Sequence, residues 1–188
     1  MKNLACALFA VIATPFANAE IIDSVRFGVM AHNIKVTDGK NANKEDGVNI
    51  NGEIRFKGID QLSWIGSPHP FVMASINTSD ETSFGAVGLE WDFEFADGWR
   101  LEPGVGYAMH TGELKIKGDT AAERAAYQEE FLLLGSRDLF RTSLALTRDF
   151  NEEWSAQLLF EHLSHGQILG NGRNQGLDEF GVRLVRRY

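Results

Sequence analysis

Polar and apolar residues alternate along several stretches of this 188-residue chain. In the segment 48–57, Val48, Ile50, Ile54 and Phe56 fall on one face, and Asn, Glu, Arg and Lys fill the opposite face. A period of two is the spacing of a β-strand with one apolar side, and it does not fit a helix. The pattern therefore predicts an all-β protein.

The alternation predicts eight strands. Short turns at 96–98 and 149–153 join two of the clearest pairs into hairpins. The predicted strands lie at about 24–33, 48–57, 70–78, 89–95, 99–107, 140–147, 154–161 and 178–188. A lone helix is expected inside the 112–136 connection, whose segment 121–130 is rich in Ala and Glu.

These strands predict an eight-stranded antiparallel transmembrane β-barrel. Their number is even, and transmembrane strands are about 9–11 residues long. Long connections at 34–46, 79–83, 112–136 and 165–177 alternate with short ones, apart from the irregular 58–69 segment. A soluble lipocalin-like barrel has the same period with its apolar residues inside. The alternating loops, the N-terminal leader described next and the aromatic last residue, Tyr188, favour the membrane barrel.

The N-terminus has the pattern of an export signal. Lys2 precedes an apolar run from Leu4 to Ala13, and small residues lead to a cleavage site after Ala19. We expect a signal peptide at 1–19 and a barrel domain at 20–188. The lone cysteine, Cys6, lies in the leader, so the exported chain would have no disulfide. The net charge of -8 argues against nucleic acid as a partner.

Three polar residues fall on the face predicted to point towards lipid. His162 and Ser164 are two apart on one strand, and counting back by twos along the last strand from Tyr188 reaches Asp178. The two strands are neighbours, so the three side chains can meet at one rim. Ser164 would then be a nucleophile, His162 its general base and Asp178 the carboxylate that orients the imidazole, an arrangement that cleaves esters.

Two other interpretations concern the same strand. His162 and Ser164 can instead be interfacial residues that fill the polar band of the membrane, with Asp178 merely opening a strand. His165 faces away from His162, so no metal site is predicted, and no cofactor is expected.

Seven charged residues are predicted to fill the lumen: Glu53, Arg55, Glu90, Asp92, Glu94, Arg100 and Glu102.

The last 55 or so residues carry a family resemblance. The motifs are H-L-S-H at 162–165, N-Q-G-L-D at 174–178, F-G-V-R-L at 180–184 and G-S-R-D-L-F-R at 135–141. They are similar to the ending of the outer-membrane lipid A 3-O-deacylases, the PagL family. That family usually has Asn after the serine, where this chain has His165, and commonly Glu as its acid, where this chain has Asp178.

The resemblance implies an outer-membrane esterase that removes the acyl chain at the 3-position of lipid A in lipopolysaccharide. It implies Ser164, His162 and Asp178 as catalytic residues, with Glu179 the alternative acid. It further implies that Asn174 and, less securely, the Gly166 N–H hold the oxyanion. The sequence does not decide the oligomeric state, and a homodimer is one option. The rival function is a non-catalytic small barrel with a structural or adhesion role.

Overall fold

A computed structural model describes residues 21–34 and 44–188. The predicted signal peptide at 1–19 lies outside the described residues. Nine strands are present in the described residues: β1 Ile22–Ala31, β2 Val48–Phe56, β3 His69–Asn77, β4 Phe84–Glu90, β5 Phe93–Ala96, β6 Trp99–His110, β7 Asp138–Asp149, β8 Trp154–Ser164 and β9 Leu177–Arg187. A 3₁₀ helix spans Asp60–Ile65, and one α-helix, α1, spans Ala121–Glu130 where a helix was predicted.

The strands close into a barrel. Their order is β4-β3-β2-β1-β9-β8-β7-β6-β5, and a further pairing of β4 with β6 joins the two edges. All pairings are antiparallel. β4 and β5 pair with successive parts of β6, so the two strands together occupy one strand position in the barrel. The barrel therefore has eight strand positions. The predicted fold class is confirmed.

The predicted strand at 89–95 is wrong in one respect, because it is interrupted at Trp91 and Asp92. The facing residue on β6 is Pro103, whose carbonyl accepts the Trp91 N–H at 3.0 Å. Proline has no N–H to return to the ladder, so pairing is locally weakened. Asp92 leaves the ladder and binds the Arg55 guanidinium through both oxygens, at 2.5 and 2.9 Å.

The two ends of the barrel differ. We call the end where β1 ends and β2 begins, with the connections 78–83, 111–137 and 165–176, the loop end, and the opposite end, where β1 begins and β9 ends, the terminus end. Aromatic side chains are exposed near the terminus end, with Trp64 of the 3₁₀ helix 79% exposed. No helix in the described part of the chain is long and apolar enough to cross a membrane.

Charged side chains fill the middle of the lumen. Arg26 binds Glu90 and Glu102, each at 2.8 Å, and Arg141 binds Glu161 at 2.5 Å. Their carboxylate and guanidinium groups are buried, so each charge depends on its partner. The buried members of this lumen network are Arg26, Glu53, Glu90, Glu102, Arg141, Glu161 and Arg183.

The predicted lumen set is partly right. Glu53, Glu90 and Glu102 are buried, and Arg55 pairs with Asp92. Glu94 is wrong: it belongs to β5, whose four residues are all exposed and which pairs with β6 alone. Arg100 pairs with Asp149 at 2.6 Å near the terminus end.

An apolar layer closes the barrel at the loop end. Leu132, Leu133 and Leu134, from the connection between β6 and β7, are fully buried. Leu132 and Leu134 pack in one core with lumen-facing residues of the strands: Phe71, Met73, Phe84, Ala86, Ala108, Leu139, Leu163 and Leu177. The Arg141 guanidinium lies 4.8 Å from the Phe71 ring centre, where the charged network meets this layer. The outer residues of the neighbouring strands are thereby held on a rigid wall.

Candidate active site

Strand register brings His162 and Asp178 side by side. They are directly paired between β8 and β9, while Ser164, at the end of β8, is paired with Phe140 of β7. The intervening Leu163 is fully buried in the lumen, and the His162 side chain is 34% exposed on the outer surface. The alternation of a strand thus places His162 and Ser164 on the outer face at the loop end.

The imidazole of His162 is hydrogen-bonded to the Asp178 carboxylate. His162 Nδ1 lies 2.6 Å from Asp178 Oδ1, and the Asp178 side chain is only 9% exposed. An ionised carboxylate can only accept, so Nδ1 carries the proton and, in the neutral ring, Nε2 has a free lone pair. The Asp178 carbonyl accepts the Ile34 N–H at 2.9 Å, which ties the acid to the segment after β1. The pair has the protonation pattern that a general base requires.

Ser164 is near this pair but not bonded to it. Within residues 21–34 and 44–188, no hydrogen bond joins the Ser164 hydroxyl to His162. Residues two apart on a strand are separated by roughly 6.6 Å along the chain. That separation is within reach of a rotated serine and imidazole, and catalytic hydrogen bonds are often long before substrate binds.

The alternative acid, Glu179, points to the lumen and is engaged there. Its carboxylate accepts hydrogen bonds from Asn49 at 2.6 Å and Ser75 at 3.1 Å, and pairs with His32 at 2.8 Å. The Glu179 side chain is fully buried on the lumen face of β9. His162 lies on the outer face of the neighbouring strand, β8. Of the two adjacent carboxylates, Asp178 is the one that is hydrogen-bonded to His162.

Gly176 packs directly against the His162 ring. A Cβ at this position would lie 2.5 Å from His162 Cε1 and 3.3 Å from both ring nitrogens. No real Cβ makes so close a contact, so only glycine lets the chain cover the imidazole in this way. The sequence showed a glycine in the loop but gave no sign that it contacts His162.

His165 organises the loop that follows β8. It is fully buried, and its backbone N–H donates to Asn174 Oδ1 at 3.1 Å. Its ring Nδ1 accepts the Gln167 N–H at 3.1 Å, so in the neutral ring Nε2 carries the proton and donates to the Arg173 carbonyl at 3.0 Å. The residue that departs from the family pattern is thus a structural centre of the loop, and its role was missed by the sequence reasoning.

The two residues expected to hold an oxyanion both adjoin His165: Gly166 follows it in the chain, and Asn174 accepts its N–H. Gly166 has a φ of +59°, a conformation that favours glycine and turns the chain away from the strand. The Asn174 oxygen is occupied by the His165 N–H, so its amide nitrogen is the group left to donate. Both are therefore placed beside the end of β8, where Ser164 lies.

The connection between β6 and β7 is hydrogen-bonded to this loop through Leu133 and Gln175. We call this pair of hydrogen bonds the clasp. Leu133 donates its N–H to Gln175 Oε1 at 2.8 Å, and the Gln175 N–H donates back to the Leu133 carbonyl at 3.3 Å. Because Gln175 precedes Gly176, the clasp fixes the segment that covers His162. It joins the apolar layer of the loop end to the candidate site.

Glu45 links the clasp to two other loops. Its carboxylate accepts the N–H groups of Leu132 and Thr82, both at 3.2 Å, and lies 3.1 Å from His32 Nε2. Burial lowers the pKa of His32, but the hydrogen bonds to Glu179 and Glu45 outweigh this effect and raise it to about 9. A charged His32 therefore holds together the connections on this side of the barrel at neutral pH.

Within the described ranges, no group of three or more His, Cys, Asp or Glu side chains is arranged to hold a metal ion. His162 has one carboxylate partner, and His165 is turned to the other side of the strand.

Comparison with known proteins identifies the family and the fold. The family model of the lipid A 3-O-deacylases (PagL) matches residues 53–187. Among solved structures, the crystal structure of the outer membrane enzyme PagL aligns with a TM-score of 0.59 and 15% identity over 86% of this chain and 97% of that chain. The Yersinia pestis outer membrane protein Ail aligns with a TM-score of 0.49 and 8% identity, over 89% of this chain and 99% of that chain. No curated protein sequence matches the chain.

Proposed function

Because this chain belongs to the lipid A 3-O-deacylase (PagL) family, we propose that it is a serine esterase that removes the 3-position acyl chain of lipid A. The observation that carries the proposal is the outward-facing His162–Asp178 hydrogen bond of 2.6 Å, two residues from Ser164 on the same strand. Placing three polar groups on an outer apolar surface costs free energy unless they form hydrogen bonds with one another. The enzyme would lie in the outer membrane of the cell.

The reaction would proceed in two steps. His162 Nε2 takes the proton of the Ser164 hydroxyl while the oxygen attacks the ester carbonyl carbon, giving a tetrahedral intermediate with a negatively charged oxygen. The ester C–O bond then breaks, and His162 returns the proton to the departing sugar oxygen. Water, deprotonated by His162 in turn, attacks the acyl carbon; the bond to the Ser164 oxygen then breaks, His162 returns the proton to that oxygen, and the fatty acid leaves.

The remaining residues would lower the barriers of these steps. Asp178 holds the Nδ1 proton of His162 and stabilises the imidazolium that forms in each step. The Gly166 N–H and the Asn174 amide nitrogen would donate to the oxyanion. Because the site faces the membrane, the lipid substrate could reach Ser164 by moving sideways in the outer leaflet.

Loss of the serine hydroxyl tests the proposal. We expect Ser164→Ala to abolish release of the 3-position fatty acid, measured by mass spectrometry of lipid A from cells that express the variant. The matched control is Ser63→Ala, since Ser63 is an exposed serine of the 3₁₀ helix at the terminus end. Full hydrolysis by a folded Ser164→Ala barrel would contradict the proposal, and absence of hydrolysis by the unaltered chain would favour the non-catalytic alternative.

A further inference from the structure

An open cavity of about 320 Å³ lies at the loop end beside β6 and β7. We call it the rim cavity. Its lining residues are Thr111, Gly112, Glu113, Leu114, Lys115, Lys117 and Arg137. Its volume is at the lower end of the range of about 300–1,000 Å³ that small-molecule binding sites span.

The rim cavity is positively charged. Three cations, Lys115, Lys117 and Arg137, line it together with one carboxylate, Glu113, in a chain whose net charge is -8. A local excess of positive charge on an acidic protein attracts an anion to that place rather than to the surface as a whole.

Two of the cations are held in position. Lys117 Nζ donates to Glu113 Oε1 at 2.7 Å, and this hydrogen bond lowers the pKa of the Glu113 carboxyl. The Arg137 guanidinium donates to the His110 carbonyl, which anchors it at the end of β6. Lys115 is exposed and, in the part of the chain that the structure describes, has no hydrogen bond or ion pair of its own. Lys115 is thus free to bind a ligand.

Strand register places the rim cavity near Ser164. Ser164 is paired with Phe140 on β7, and Phe140 is paired with Tyr107 on β6, so the three form a row around the outer surface. Arg137 lies three residues before Phe140, which corresponds to roughly 10 Å along an extended chain. The Tyr107 hydroxyl donates to Asp138, so this neighbouring carboxylate is already engaged. A lipid whose ester lies at Ser164 would bring its headgroup towards the cavity.

We propose that the rim cavity binds a phosphate group carried on the sugar headgroup of the lipid substrate, with Lys115 and Lys117 as its main ligands. This inference rests on the proposed function, because lipid A carries phosphate on its sugars close to the 3-position ester. Ammonium groups bind phosphate oxygens through charge-assisted hydrogen bonds. The cavity would orient the headgroup while the acyl chains remain against the apolar wall. Inorganic phosphate would bind through the same hydrogen bonds. The experiment therefore distinguishes inorganic phosphate from the phosphate of the lipid headgroup.

Binding is measured with a lipid A analogue whose 3-position ester is replaced by an ether, so that it cannot be hydrolysed. The unaltered protein, in zwitterionic detergent micelles, is expected to bind this analogue roughly tenfold more tightly than the same analogue without phosphates. The double variant Lys115→Gln, Lys117→Gln should bind both analogues equally. Lys57→Gln is the matched control, because Lys57 is an exposed lysine at the opposite end of the barrel, and it should retain the tenfold preference.

Three results would overturn the inference: a phosphate preference that persists in the double variant, one that is equally lost in Lys57→Gln, or inorganic phosphate binding as tightly as the phosphorylated analogue. Kinetics give a second readout on natural lipid A, since the double variant should raise KM about tenfold with little change in kcat. Failure of the proposed function would be seen separately, as no hydrolysis by the unaltered protein alongside a preserved preference for the phosphorylated analogue.

Discussion

At the scale of single residues, two adjacent carboxylates have different environments. Asp178 is bonded to His162 on the outer face, and Glu179 is bonded to His32 and Asn49 in the lumen. We predict that Asp178→Asn lowers kcat by about 10²- to 10⁴-fold, because the amide no longer fixes the tautomer or stabilises the imidazolium. Glu179→Gln should change kcat by less than about tenfold. Steady-state kinetics on purified barrels checks both, and the reverse order of effects would contradict the assignment of the acid.

Gly176 provides a second prediction at this scale. Gly176→Ala would place a Cβ 2.5 Å from His162 Cε1, so the ring must move away from Ser164 or the loop must shift. We expect kcat to fall at least about tenfold, since misplacement by about 1 Å can cost two orders of magnitude. Gly85→Ala is the control, because its added Cβ would meet only the Met73 carbonyl oxygen, at 3.6 Å. Equal activities of the two variants would show that Gly176 does not position the imidazole.

Residue types and strand parity were enough to predict which side chains face outward together. Counting by twos placed His162, Ser164 and Asp178 on one face, and the register of β8 and β9 pairs His162 with Asp178. Parity could not show the role of His165, because its hydrogen bonds reach residues of a loop without periodicity. Backbone contacts of that kind depend on three-dimensional closure and leave no pattern in the sequence.

At the scale of elements, the clasp between Leu133 and Gln175 connects two loops. Gln175→Leu would leave the Leu133 N–H without its acceptor at a buried position, at a cost of about 1–3 kcal/mol. We predict faster amide exchange across 165–176 and a lower kcat, measured by hydrogen exchange with mass spectrometry and by kinetics. Gln175→Glu keeps an acceptor oxygen and should stay closer to the unaltered protein. Unchanged exchange in Gln175→Leu would mean that the clasp does not hold the loop.

The link between His32 and Glu45 predicts a pH dependence of the loop end. With a pKa raised to about 9 in the folded protein, His32 stabilises the fold fully below its unfolded pKa of about 6.5. That stabilisation is lost as the pH rises through about 9. The unfolding temperature of His32→Gln should therefore depend less on pH between about 6.5 and 9. Identical pH profiles for His32→Gln and the unaltered protein would refute this explanation.

At the scale of the whole molecule, the lumen network stabilises the barrel from inside. Arg141 lies 2.5 Å from Glu161 and 3.6 Å from Glu90, and all three side chains are buried. Arg141→Met would leave Glu161 without its counter-charge, while Glu90 would keep Arg26 at 2.8 Å, and should lower the free energy of unfolding by about 3–5 kcal/mol. Arg148→Met is the control: Arg148 is exposed near Trp99, so the change should cost less than about 1 kcal/mol. Urea unfolding measures both, and equal losses would argue against a stabilising network.

The architecture could be predicted because the side chains of a β-strand alternate between two faces, which gives the sequence a repeat of two residues. Residues of the outer and the inner face alternate along each long strand, so the face that each residue occupies follows from the sequence. The pairing of charges across the lumen could not be predicted in the same way. Arg26 and Glu102 are far apart in the chain and meet at 2.8 Å only because the strands close into a cylinder. The break at Trp91 likewise needs the partner strand, because its cause is Pro103.

The most direct test of the account is covalent labelling of the serine. A lipid-like fluorophosphonate reacts only with a serine that an adjacent base has activated. Intact-protein and peptide mass spectrometry should find one adduct on Ser164 in the unaltered barrel, and His162→Asn should nearly abolish it while the barrel stays folded. An adduct on another residue, or equal labelling of Ser164 with and without His162, would contradict the claim that these two side chains form an esterase site.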